Sequence, residues 1–528
     1  MPSRPFRAVT PLVFACVMAA CGGNGLPSAP GGGGPGSRPT LGATYRPSGH
    51  AAAGDVFVHL FEWRWTDVAA ECETVLGPAG YRAVQVSPPQ EHSLTPSRDW
   101  SERYQPVSYS IDRSRSGTRD EFVAMMGRCK AAGVDIYVDA VINHMTNSPS
   151  PGVGSNGTAY TKYEYPGLYT RADFHTPCAI TNYLDAANVQ DCELFSLPDL
   201  NTGLASVRQK IAGYLLMLAR IGVAGFRIDA AKHIQQVELD QIIGLVDSTL
   251  TAEGRAIPYW FLEIASGSGD VLKTNDFFGE AYRTGGASDI TEFTFAGVGN
   301  KFRRVNGESL SQLNPNGGAG NQFSAAAWGL MPSDKAVVFL QNHDTQHECG
   351  LGYRDGQIFR LANVWMLAQP YGYPSVLSSY GFVCPSGDSV GPRSDAAGWT
   401  LPVSCAPSLE TAGVGDWVCE HRDPYIRNMV RFRRTVAGTE VTQWWDNGAN
   451  AIAFSRGSRG FVAINRESTT VTVTVPTGLA PGTYCDLLGG GKIGGACAGA
   501  SIVVGATGSV SLNLLSNAAI AVDVTTKL

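Results

Sequence analysis

Short apolar runs alternate along the chain with stretches whose apolar residues recur every three to four positions. Eight runs read as strands, at 55–61, 83–88, 135–142, 225–229, 259–264, 289–293, 336–344 and 373–379. Amphipathic stretches lie between several of them. In one, Val207, Ile211, Tyr214, Leu215 and Leu218 share a face at helical spacing. Strand–helix alternation repeated eight times predicts an α/β chain whose parallel strands close into a (β/α)8 TIM barrel. A doubly wound sheet would more often carry a Gly-rich dinucleotide loop after its first strand, and here His59-Leu60-Phe61-Glu62-Trp63 follows instead. The third strand leads into a long irregular segment, 143–200, rich in Gly, Pro, Tyr and Asn, which reads as an inserted subdomain. Beyond about Thr439 the period changes to two, with strands at 470–475 and 509–514 between Gly-rich turns. The expected organisation is therefore a barrel over 45–142 and 201–439, an inserted domain B over 143–200, and a C-terminal antiparallel β-sandwich over 440–528.

The first residues change the picture of where the protein works. Arg4 and Arg7 precede an apolar run that ends in Ala19-Ala20-Cys21, the pattern of a signal peptide over 1–21. Small residues before a cysteine also resemble a bacterial lipobox, which would make Cys21 a lipidated N-terminus, although Met18 stands where Leu is more usual. Residues 22–44 are Gly/Pro/Ser-rich, a tether composition. Of twelve cysteines, Cys16 would leave with the signal and Cys21 would take lipid, so ten remain, an even number suited to an oxidising compartment. The chain is expected to be exported and held at the cell surface by lipid, with free secretion as the alternative. Later stretches are not apolar enough to span a bilayer. A net charge of −6, from 40 basic and 46 acidic residues, argues against a nucleic-acid partner. A monomer is expected.

Four polar clusters fall at strand ends: Asp139-Ala-Val-Ile-Asn143-His144, Gly225-Phe-Arg227-Ile-Asp229, Phe261-Leu-Glu263-Ile and Asn342-His343-Asp344. Any one could be a solvated strand end or a helix cap. Together they mark the C-terminal face of the barrel, where such folds carry their chemistry. Arg227 and Asp229 are two apart, so both side chains leave the strand on one side, and the guanidinium favours the ionised carboxylate. That suits a nucleophile. Glu263 lies among Phe261, Leu262 and Ile264, neighbours that disfavour its charge and suit a proton donor. Such a pair is the arrangement of retaining glycoside hydrolysis.

These clusters, with Leu197-Pro-Asp199-Leu-Asn201, resemble the signature regions of the alpha-amylase family of glycoside hydrolases. So do His59-Leu-Phe-Glu-Trp-Arg-Trp65, Val86-Ser-Pro-Pro89, Arg103-Tyr-Gln-Pro-Val-Ser-Tyr109, Asp416-Trp-Val-Cys-Glu-His421 and Gly482-Thr-Tyr-Cys485, which are similar to its animal and actinobacterial branch. The resemblance runs from about Tyr45 to Leu528. It implies endo-hydrolysis of internal α-1,4 bonds of starch, glycogen and maltooligosaccharides with retention. An amylase-like enzyme that mainly transfers glycosyl groups or releases one short maltooligosaccharide, and a silent glycan-binding protein on the same scaffold, are the rival readings.

Carried over by position, Asp229 would be the nucleophile, Glu263 the acid/base and Asp344 the third carboxylate that stabilises the transition state. His144, Arg227 and His343 would hold the glucose at the cleavage point, Lys232 and His233 would line the leaving-group side, and Tyr104 with Trp100 would supply stacking surfaces. A structural calcium is implied, with Asn143, Asp199 and the carbonyl of His233 as oxygen ligands. Gln190 stands at the further ligand position, where the family often has Arg. Cys72–Cys129, Cys178–Cys192 and Cys485–Cys497 match the family's disulfides. Cys349, Cys384, Cys405 and Cys419 allow three pairings, of which Cys349–Cys384 with Cys405–Cys419 is preferred. Many relatives bind chloride through an Arg, an Asn and a basic residue on the eighth strand. Arg227 and Asn342 match the first two, but Ser375 occupies the third, so chloride is not expected to be required.

Overall fold

The computed structural model describes residues 46–267, 269–278, 288–317, 323–384 and 390–528. The expected signal peptide, the tether and Cys21 lie outside the described residues. Eight parallel strands close into a barrel: β1 (Phe57–Leu60), β2 (Ala83–Val86), β3 (Asp135–Ala140), β4 (Gly225–Ile228), β5 (Tyr259–Leu262), β6 (Ser288–Thr291), β7 (Ala336–Val338) and β8 (Tyr373–Ser378). Sequential neighbours pair, and β8 pairs back onto β1 with Phe57 opposite Ser375.

Period two along these strands places the chemistry. At the N-terminal mouth the inward residues include Phe57, Ala83, Tyr137, Phe261, Val337 and Tyr373, a buried apolar layer. Two residues further on, the same faces carry His59, Gln85, Asp139, Arg227 and Glu263. The barrel interior thus changes from apolar to polar towards its C-terminal face. On β4 the position below Arg227 is Gly225, where a Cβ would stand 2.6 Å from the Tyr137 ring. A larger residue there would push strand and ring apart. The N-terminal mouth is closed by His50, stacked on Tyr373 at 4.3 Å and edge-on to Tyr259.

Helices wrap the outside. α1 (Arg119–Ala131) begins with a Thr118/Glu121 capping box and is tied by Cys72–Cys129 to the segment after β1. α2 (Ala205–Ile221) buries Val207, Ile211, Tyr214, Leu215 and Leu218 on one face, the set whose spacing marked it, and stops at Gly222 with φ 121°. Next come α3 (Gln236–Ala252), α4 (Gln357–Ala368) and α5 (Pro424–Thr435). The strand expected over 336–344 ends at Val338. Beyond it, the Asn342 side-chain oxygen accepts from the amides of Asp344 and Thr345, a local turn that competes with the ladder.

The segment 143–200 leaves β3 and returns beside its start: His144 bridges Asp199, and the Leu200 amide donates to the Asn143 carbonyl at 3.0 Å. Within it are a hairpin of Gly152–Val153 with Ala159–Tyr160 and the Cys178–Cys192 disulfide.

The C-terminal part is antiparallel. β9 (Val441–Asp446), β10 (Ala451–Arg456), β11 (Gly460–Asn465) and β16 (Ala518–Asp523) form one sheet in the order β9-β10-β11-β16. Facing it, β12 (Val471–Pro476) pairs with β15 (Ser509–Leu514), and β13 (Gly482–Cys485) pairs with β14 (Ser501–Val504). The second layer is therefore two ladders rather than one sheet, with Phe461, Ala463, Val475, Tyr484, Leu512 and Val522 packed between the layers. Buried Arg456 donates to the Ala368 carbonyl at 2.6 Å, stitching this part to the end of α4.

Candidate active site

Arg227, at the end of β4, organises the cleft. Its Nη1 donates to Asp139 Oδ1 at 2.6 Å and to Asp229 Oδ1 at 2.9 Å, and its Nη2 lies 2.6 Å from Glu263 Oε1. The other oxygen of Glu263 accepts from the Ala230 amide at 2.8 Å, which the left-handed backbone of Ala230 (φ 49°) presents. Glu263 is thus not enclosed by its apolar sequence neighbours. Strand alternation turns it towards a guanidinium and a backbone donor, and the sequence-based reason for its role was wrong on that point.

Asp344 reaches the same space from beyond β7. Its carboxylate accepts from Asn342 Nδ2 at 3.3 Å and lies 3.4 Å from His343 Nε2. Burial pushes Asp229 well above the usual carboxylate range, Arg227 pulling it back and Glu263 and Asp139 pushing further. Asp344 moves the same way, raised by burial and by Glu263 against Arg227. Arg227 does favour the ionised form of Asp229, as expected, but burial and the neighbouring carboxyl groups outweigh it. One cation faces four carboxyl groups, so each carboxylate raises the pKa of its neighbours.

Two residues of this centre were not assigned a role from sequence. Asp139 stands beside Arg227 in the β3–β4 register and accepts from the Tyr104 hydroxyl at 2.9 Å. Asp270 pairs with Lys232, whose Nζ also donates to the Ala265 carbonyl at 2.8 Å and lies 4.8 Å over the Tyr183 ring. The signal for Asp139 was its inward phase opposite Arg227. Asp270 carried none, because it lies in a loop brought up by the fold.

Among the expected sugar-binding residues, Tyr104 stacks on His343 at 5.0 Å with the rings 7° apart, and 8% of it is exposed. Trp100 stacks on His347 at 5.2 Å and meets Tyr104 edge-on. His144 Nε2 bonds the Tyr104 carbonyl at 3.0 Å. His233 Nδ1 bonds the Val189 carbonyl at 2.9 Å, docking the inserted segment. Burial holds both histidines neutral, with pKa values down to about 4.

The residues singled out for calcium fall in two contacting groups, Asn143 with Asp199 and Gln190 with the backbone around His233. Asn143 and Asp199 adjoin across the His144–Asp199 bridge. Asp199 Oδ2 is bonded by His175 Nδ1 at 2.7 Å, while its Oδ1 is buried with no hydrogen-bond partner. Gln190 donates from its amide nitrogen to the carbonyls of Lys232 and Ile234, on either side of His233. No group of three His, Cys, Asp or Glu side chains suited to a metal occurs among the described residues. Together the four residues offer one carboxylate, two side-chain amides and a carbonyl. The remaining cysteines pair as Cys349–Cys384, Cys405–Cys419 and Cys485–Cys497.

The alpha amylase catalytic-domain model matches residues 95–368, and the model of the alpha amylase C-terminal all-beta domain matches 444–525. The chain belongs to the alpha-amylase family. Within that family it is 43% identical over 490 residues to human alpha-amylase 1B, covering 87% of this chain and 92% of that one. It is 41% identical over 487 residues to the pancreatic alpha-amylase 2a5 of Mus musculus, with the same coverage. Among solved structures, a mutant of alpha-amylase I from Eisenia fetida in complex with maltohexaose aligns with a TM-score of 0.80 at 35% identity, covering 92% of this chain and 99% of that one. An alpha-amylase from Geobacillus thermoleovorans complexed with acarbose aligns at 13% identity with a TM-score of 0.57 and shares the fold alone. As a member of this family, the chain is a glycoside hydrolase.

Proposed function

We propose that the chain hydrolyses internal α-1,4-glucosidic bonds of starch, glycogen and maltooligosaccharides with retention of configuration. The observation that carries this reading is the convergence of Asp229 and Glu263 on opposite nitrogens of one guanidinium, at 2.9 and 2.6 Å. Retaining hydrolysis needs its two carboxyl groups about 5 Å apart, a gap that one guanidinium spans. Asp229 attacks the anomeric carbon from one face while Glu263 protonates the departing glycosidic oxygen. Glu263 then takes a proton from water as that water displaces Asp229. Asp344 offsets the positive charge that builds on the ring, and Arg227 keeps Asp229 aimed. His144, His343, Tyr104 and Trp100 hold the sugar at the cleavage point, and Lys232 and His233 border the leaving-group side.

A reducing-sugar assay on soluble starch, with chromatography of the earliest products, tests the reading. Mixed internal fragments of α-configuration are expected. One short maltooligosaccharide alone would favour an enzyme that releases a single product, longer chains would favour a glycosyl-transferring one, and no release would favour a silent glycan binder.

The buried, unpartnered Asp199 Oδ1 beside Asn143 fits an oxygen-ligated cation. Calcium bound there would supply charge balance and tie the inserted segment to the barrel, with Asn143, Asp199, the His233 carbonyl and Gln190 as its holders. Chloride fits poorly. A cavity of about 20 Å³ is lined by Arg227, Asn342 and Ser375, together with His59, Gln85, Gln341 and His343. Burial and Arg227 hold both histidines neutral. Arg227 is the one full cation among the lining residues, and it is already shared by three carboxylates. An anion there would be buried without adequate compensation. Five disulfides support export, and Cys21 is the anchor we propose. No helix among the described residues is long and apolar enough to cross a membrane.

A further inference from the structure

Glu62 follows β1 by two residues and takes no part in the chemistry above. It is fully buried, and its backbone is in the left-handed region at φ 64°, which a residue other than glycine adopts at a cost that the surroundings must repay. Its amide donates to Ser87 Oγ at 2.8 Å. Neither carboxylate oxygen has a hydrogen-bond partner. The nearest cation is Arg103, with Nε 4.0 Å from Glu62 Oε1, and that Nε is unpartnered too. The other guanidinium nitrogens of Arg103 are engaged, Nη1 by Ser116 Oγ at 2.5 Å and Nη2 by Thr400 Oγ1 at 3.1 Å. A buried ion pair that leaves its own hydrogen bond unmade is a poor device for stability, since an apolar pair of equal volume would serve better.

Its placement suggests a different use. Arg103 lies in the one-turn helix Trp100–Tyr104, next to the tyrosine that stacks on His343 and donates to Asp139. Asp139 in turn holds Arg227, and Arg227 holds Asp229. We propose that Glu62 is a positioning residue: acting through Arg103, its carboxylate sets the turn that presents Tyr104 to the sugar and to Asp139. This rests on the hydrolase reading given above. Burial pushes the Glu62 carboxyl up to about 7. Arg103 and Arg115 pull it back, and Glu102 and Asp99 push it further. The Tyr380 hydroxyl also feels its charge. Glu62 is therefore charged on the alkaline side of neutrality and neutral on the acid side.

That property separates positioning from simple support of the fold. Steady-state kinetics on a defined maltooligosaccharide should be measured for the full chain, Glu62→Gln and Glu62→Asp, alongside melting temperatures. Above about pH 8, Glu62→Gln should lower kcat/KM about tenfold with an unchanged or higher melting temperature. Below about pH 6 the difference should close, because the unmodified side chain is then protonated as well. Glu62→Asp keeps the charge and should recover most of the loss. Arg103→Lys, which keeps a charge but not the fork, should show the same loss if the glutamine variant does not fold. A deficit equal at both pH values, a deficit matched by a fall in melting temperature, or no deficit in any variant would overturn the proposal. Failure of the unmodified chain to cleave the substrate would instead overturn the hydrolase reading.

Discussion

Asp229 and Glu263 touch the same guanidinium, yet their removal should leave different signatures. Glu263→Gln keeps the shape and the acceptor for the Ala230 amide but cannot donate a proton. Turnover of starch should fall by about 10²–10⁴-fold while maltooligosaccharide binding, followed by calorimetry, is retained. Asp229→Asn should be at least as inactive and should form no covalent glycosyl intermediate by mass spectrometry. Trapping an intermediate on that variant would move the nucleophile elsewhere. Asp139 gives a subtler test. Its charge pushes the Asp229 carboxyl up, so Asp139→Asn should lower the Asp229 pKa. The nucleophile then stays ionised to lower pH, and the acid limb of kcat/KM against pH should shift downward, while the loss of an Arg227 anchor lowers the plateau. An unmoved acid limb would sink this account of the charge balance.

Between single side chains and the whole chain lie the segments that bring them together. The strands deliver these groups with little freedom: Asp139 and Arg227 sit on a hydrogen-bonded ladder, and Glu263 follows β5 directly, its amide donating to the Ile228 carbonyl at 3.0 Å. His144, His233 and Asp199 depend instead on how 143–200 folds back across the barrel. A cation at Asp199 would cross-link that segment. Because it would bind the folded chain far better than the unfolded one, it would stabilise by mass action. Chelator is expected to lower the melting temperature by several degrees, with calcium restoring it. Coincident melting curves with and without chelator would argue against an exchangeable ion. The Cys178–Cys192 disulfide should keep the inserted segment partly organised through this treatment.

Taken whole, the molecule is expected to work without chloride and to be held at a surface. Activity in chloride-free buffer, compared with a chloride titration at fixed ionic strength, should stay level. A several-fold saturable rise would mean that Ser375 and its neighbours do accept an anion. Replacing Cys21 by Ser should release the protein from membrane fractions if that cysteine carries lipid, without altering kcat/KM on soluble substrate. A wild-type chain already wholly soluble, with its N-terminus elsewhere, would end the anchor proposal. The barrel and the C-terminal sheets should not melt fully independently, since Arg456 binds the end of α4 and Arg466 donates to the Phe302 carbonyl.

How much of this could be read from the chain follows from what each feature depends on. Eight strand cores and the helix carrying Val207 to Leu218 were legible, because burial on one face writes a period of two or 3.6 into the residues. Asp229 and Glu263 stood out as polar groups at strand ends, while Asp344, in a turn beyond β7, was picked out through the family resemblance. The Arg227–Glu263 contact, the left-handed turn at Ala230, the Lys232–Asp270 pair and the unpaired carboxylate of Glu62 were not. Each joins segments far apart in sequence or depends on a local backbone twist. The charge state of the cluster was out of reach as well. It is a property of four carboxyl groups and one guanidinium sharing a low-dielectric space, and no neighbour along the chain reports how many others the fold will bring there.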